Sequence, residues 1–120
     1  MFVEAVARVG APPPPDVPDG PGFFQYADPD RFGDLLREAG LSDVAVNTVQ
    51  FVQRFAGAGE LWDGLLGGTV RTRDLILRQP AEVQQSIRAA YDDLVAAYVT
   101  ADGAVELPVS VRLASGQRPA

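Results

Sequence analysis

Gly67, Gly68, Thr69, Arg71 and Thr72, crowded into the string LLGGTVRT (65–72), are residue types that grip an anion. Glycines free the backbone, threonines offer hydroxyls, and arginine offers a forked cation. A Walker-type phosphate loop also needs a lysine, and all ten basic residues of this chain are arginine. Arg71 is no substitute, because guanidinium is a fixed fork that stays protonated. A second string, RFAGAGELW (54–62), places Gly57-x-Gly59 between a strand and a helix, the context of a nucleotide loop. Its third glycine is absent, and Glu82, at about the right distance for the ribose acid, falls in the first turn of a helix. The string reads as a flexible strand-to-helix turn. Asp92 and Asp93 are adjacent on a helix and cannot face each other as an acid–base pair.

Absent residue types narrow the chemistry further. The 120 residues include no cysteine, so there is no disulfide framework, no thiolate nucleophile and no cysteine-ligated metal. No histidine is present, which removes the commonest general base and metal ligand. Without lysine there is no Schiff-base chemistry. A net charge of −6 argues against general nucleic-acid binding, and the acids are scattered as on a solvated surface. The opening MFVEAVARVG has an early Glu4, no leading basic cluster and no small-residue cleavage site. No apolar run approaches the roughly 18 residues of a membrane span, so a cytoplasmic location is expected.

The elements that must position these residues follow from periodicity and punctuation. Phe2, Val3, Val6 and Val9 fall near helical spacing. Six prolines and three glycines in GAPPPPDVPDGPG (10–22) predict an extended connector. In residues 28–40, Asp28 suits an N-cap, Pro29 the first helical position, and Gly40 a left-handed stop. Phe32, Leu35, Leu36 and Ala39 form the apolar stripe of that helix. Residues 43–55 read as a long strand, with Val44 and Val46 on one face, Val49, Phe51 and Phe55 on the other, and a bulge near Asn47–Thr48. Helices are expected over 59–68 (Leu61, Trp62, Leu65 and Leu66 inward), 71–79 and 80–99. The last carries Val83, Ile87, Ala90, Tyr91, Leu94 and Tyr98 on one face. After a turn at Asp102–Gly103, residues 105–116 alternate, with Val105, Leu107, Val109, Val111 and Leu113 on one side and Pro108 on the other.

Three strings resemble one family: QYADPDRFGDLLREAGLSDVAV (25–46), GELWDGLLGGTVRTRDLI (59–76) and DGAVELPVSVRLASGQRP (102–119). Together they look like the C-terminal half of class I S-adenosylmethionine-dependent methyltransferases, in the ubiquinone/menaquinone-biosynthesis-like small-molecule group. The resemblance implies that 43–55 and 105–115 are the family's sixth and seventh strands, with the helices between them lying over the acceptor substrate. It also implies S-adenosylmethionine as the cofactor of the full-length family. That cofactor is held in the other half, by an acidic-x-Gly-x-Gly loop and a strand-ending acid that have no counterpart before residue 28.

The expected fold class is therefore α+β: two long antiparallel strands with an intervening helical cap, resembling the C-terminal part of a Rossmann-like methyltransferase. Residues 1–27 form an N-terminal helix and connector, and 28–120 the methyltransferase-like region. No catalytic, cofactor-binding or metal residue is expected in this chain alone. By the resemblance, Trp62, Thr69, Arg71 and Thr72 face the substrate. The plainer alternatives are that Trp62 is core, Gly67–Gly68 a helix break, and Arg71 and Arg73 partners of helix ends or of Asp63 and Asp74. The expected partner is a second copy in a homodimer, or a separate cofactor-binding chain, with a small-molecule ligand possible in the cap.

Overall fold

The computed structural model describes residues 1–16 and 20–120. It is α+β: among the described residues, five α-helices and one two-stranded antiparallel sheet. In chain order these are α1 (Phe2–Val9), α2 (Pro29–Glu38), β1 (Ser42–Phe55), α3 (Ala58–Gly68), α4 (Arg71–Leu77), α5 (Ala81–Val95) and β2 (Val105–Gln117). Part of the expected connector, residues 17–19, lies outside the described residues. The chain groups into two compact units, Met1–Pro18 with Gln53–Leu107, and Asp19–Val52 with Pro108–Ala120. Both strands contribute to each unit.

The first unit holds a helical core. Phe2, Ala5 and Val6 of α1 are buried together with Leu61, Trp62, Ile76, Ile87, Tyr91, Val95 and Val105. At its centre Phe2 stacks on Trp62 at 5.2 Å and tilts against Tyr91 at 4.8 Å, while Trp62 meets Tyr91 at 5.0 Å. Such pairs add to plain area burial because ring edges and faces carry opposite partial charge. The Tyr91 hydroxyl donates to the Ala58 carbonyl at 2.7 Å, so the buried ring keeps its polar end satisfied. Burial pushes the Tyr91 phenol above its ordinary range. Arg88 lies over the Trp62 face at 5.0 Å and pairs with Asp92, closing the cluster from outside.

α5 carries most of the expected face, with one correction. Tyr98 was expected to pack with Tyr91, but it is 38% exposed and Val95 is buried instead. The α-helix stops at Val95 and continues as a 3₁₀ turn over Ala96–Tyr98. The tighter winding carries Tyr98 off the stripe set by Ile87, Tyr91 and Val95. The proline segment is also tied down. Pro12 offers its carbonyl to Gln79 at 2.7 Å, and Asp16 pairs with Arg78 at 2.6 Å.

In the second unit, Asp28 caps α2 by accepting from the Asp30 amide at 2.8 Å, Pro29 opens it, and Gly40 adopts φ 86°. The expected stripe is only half sheltered, since Leu35 and Ala39 are exposed while Phe32 and Leu36 are partly buried. The strand register shows in its side chains. Arg112 Nη1 donates to Thr48 at 2.8 Å, and in the first unit Arg54 Nη1 donates to Glu106 at 2.8 Å. Within each unit, even-numbered residues of the two strands therefore share one face and odd-numbered residues the other. On the even face Val44, Val46, Arg112 and Ala114 are partly buried, and Arg112 Nε donates to the Ala27 carbonyl. On the odd face Val49, Phe51, Val111 and Leu113 stay exposed. Gly116 lies so close to Leu41 that an added Cβ would sit 2.9 Å from the leucine Cβ.

Candidate functional site

The anion-gripping string divides between two helices. Leu65 to Gly68 finish α3, Thr69 is its C-cap, Val70 precedes α4, and Arg71 and Thr72 begin α4. Paired glycines are poor helix residues, and the chain leaves the helix directly after them. Thr69 directs its hydroxyl at the Leu65 carbonyl at 2.7 Å, where its own amide also donates at 3.1 Å. The hydroxyl thus donates its hydrogen to an end-of-helix carbonyl. Thr72 is 6% exposed and turned inward, and Trp62 is 9% exposed within the aromatic cluster. Arg71, on the first turn of α4, is exposed. Of the four residues expected at a substrate, Trp62 and Thr72 have core positions, Thr69 a capping one, and Arg71 an exposed one at the start of α4.

The Gly57-x-Gly59 turn is built for a different purpose than holding phosphate. Gly57 is fully extended, at φ −178° and ψ 178°, a conformation open to any residue. The Ala56 amide donates to the carboxylate of Glu60, in the first turn of α3. An acid at this position complements the positive end of the helix dipole. That carboxylate is taken up by the Ala56 amide, one residue before the N-cap Gly57.

Two groupings escaped sequence reading. Arg54 reaches both Glu106 and Asp102 across 48 and more residues, and Thr100 donates to Asp102 as well. Asp102 is lowered to about 2, first by the Thr100 hydroxyl and then by Arg54. Nothing local announces this cluster, since it depends on strand register. The other grouping is a cleft of about 510 Å³ in the second unit, lined by Phe23, Phe24, Tyr26, Phe32, Ser110 and Arg112 among others. Phe24 is 83% exposed at its mouth, and Arg31 lies over the Tyr26 ring at 5.9 Å. The signal available in sequence was the pair Phe23–Phe24 inside a glycine- and proline-rich run, where apolar side chains have no periodic reason to be.

The chain matches no family model, no curated protein and no solved structure. Among the described residues no helix is long and apolar enough to cross a membrane, and no group of acids could hold a metal ion.

Proposed function

We propose that this chain is the substrate-cap region of a small-molecule methyltransferase-like protein that depends on S-adenosylmethionine, acting in the cytoplasm and not catalytic alone. The observation that carries the reading is the order of elements. Helix α2 runs into β1, three helices follow, and β2 returns antiparallel to β1. That is the order expected of the C-terminal half of the family the sequence resembles. Methyl transfer of this kind rests largely on positioning acceptor and donor together. A cap brings only the acceptor side, so a second chain carrying the acidic-x-Gly-x-Gly loop supplies the cofactor in this reading. In this reading Arg71, exposed in the first turn of α4, is the residue that meets a polar or anionic acceptor.

Calorimetric titration tests this directly. S-adenosylmethionine added to the isolated chain should give no binding heat up to roughly 1 mM, while a complex with a cofactor-binding chain should bind it. Micromolar binding to this chain alone overturns the reading.

A second reading is favoured by the bare odd face of the strands. Val49, Phe51, Val111 and Leu113 form a contiguous exposed apolar row. Surfaces of this kind mark association sites. In this reading the chain is a non-enzymatic dimerisation or small-ligand-binding module derived from such an enzyme.

A further inference from the structure

Among the described residues that line the cleft of about 510 Å³, Arg112 is the one charged side chain, and Phe23, Phe24, Tyr26 and Phe32 are aromatic. Every one of these residues belongs to the second unit. We propose that the cleft binds a small planar aromatic carboxylate, its ring against the aromatic walls and its carboxylate on the Arg112 guanidinium. The inference names a ligand class for the small-ligand form of the second reading above and rests on it.

Arg112 carries the charge argument. Arg8, Arg37, Arg54, Arg78 and Arg88 each pair with a carboxylate of the chain. Arg112 instead donates from Nε to the Ala27 carbonyl and from Nη1 to the Thr48 hydroxyl at 2.8 Å. Both acceptors are neutral, so these bonds fix the plane of the fork and leave its charge uncancelled. The side chain is half-buried, where an uncompensated cation costs desolvation. A guanidinium has five N–H donors. The two bonds take one from Nε and one from Nη1, and those of Nη2 lie outside both. A carboxylate suits what remains, because it accepts parallel bonds from a fork held in one plane.

The walls select what the carboxylate is attached to. The Tyr26 and Phe32 rings lie 5.9 Å apart and tilted by 35°, an aromatic surface at one side of the cleft. Phe24 is 83% exposed, so a ligand ring laid on it removes apolar surface from water. Offset and tilted ring pairs add to that gain. The volume falls inside the roughly 300–1,000 Å³ of small-molecule sites, and a few polar groups among apolar walls is their usual composition. A bare inorganic anion would leave the aromatic walls unused, and an uncharged arene would leave the guanidinium unmet. An aromatic acid meets both.

Calorimetric titration of the whole chain with cinnamate, and with cinnamamide as its uncharged analogue of the same shape, separates these contributions. Cinnamate should bind with a Kd of roughly 30–500 µM, and cinnamamide about tenfold more weakly or worse. Phe24→Ala, at an exposed position, should weaken cinnamate about threefold or more while leaving the far-ultraviolet dichroism unchanged. Arg112→Gln should bring acid and amide to the same affinity. Arg112 also ties Ala27 to the strand, so the site is located independently in the parent chain. There, nuclear Overhauser contacts should join the cinnamate ring to Tyr26 and Phe32. Equal affinity of the parent for acid and amide overturns the ligand class. Contacts to other rings alone overturn the site and leave the small-ligand reading standing. No heat from either compound up to roughly 5 mM overturns the proposal and leaves the second reading to association alone.

Discussion

Asp102 holds its negative charge down to about pH 2, because the Thr100 hydroxyl donates to it and Arg54 lies alongside. Its folded pKa lies below the usual value of 3.8, so its contribution to stability is present above about pH 4. That contribution is lost as pH falls from there towards 2. Thermal melts of the parent and Asp102→Asn should therefore differ at pH 7, with the variant melting lower, and converge near pH 2. Curves that stay parallel across that window would sink the assignment. Gly116 makes a second prediction at this scale. A Cβ there meets the Leu41 side chain at 2.9 Å and the Ser42 carbonyl at 3.4 Å. Gly116→Ala should cost about 1–3 kcal/mol through overpacking, read from denaturant midpoints at unchanged slope. Gly59→Ala, with open space at its Cβ, is the control.

At the scale of elements, α1 is the piece most dependent on one side chain. Eight residues are too few for a stable isolated helix, so it persists by docking Phe2, Ala5 and Val6 into the core. Phe2→Ala removes the ring shared by Trp62 and Tyr91 and should cost about 3 kcal/mol. Hydrogen exchange should then quicken first in α1; unchanged protection there would show that the helix is held by something else. The helix itself was legible from Phe2, Val3, Val6 and Val9, although Val3 is exposed and Ala5 is buried in its stead. α2 was legible from Asp28, Pro29 and Gly40, since capping chemistry is local. β2 was legible from strict alternation, but its fading burial towards Leu113 was not. Alternation tells which residues share a face and says nothing of whether that face is covered. Tyr98 misled because a change from α to 3₁₀ winding leaves no mark in residue spacing. The aromatic cleft and the Arg54 cluster join residues more than 45 positions apart, so only the fold brings them together.

For the whole molecule, the two strands run unbroken for 14 and 13 residues and supply backbone to both compact units. A continuous ladder predicts that the units lose structure together. Trp62 gives that prediction a private reporter. It is the sole tryptophan, sealed between Phe2, Tyr91 and the Arg88 guanidinium in the first unit. Indole emission should be blue-shifted in the native protein and should follow that unit alone, whereas far-ultraviolet dichroism follows helices and strands everywhere. In a urea titration the two signals should trace one transition, and separate midpoints would mean that the strands bend or part between the units. The same indole offers an internal clock: rapid mixing, watched through its fluorescence, times the moment at which the amino-terminal helix closes over the aromatic cluster.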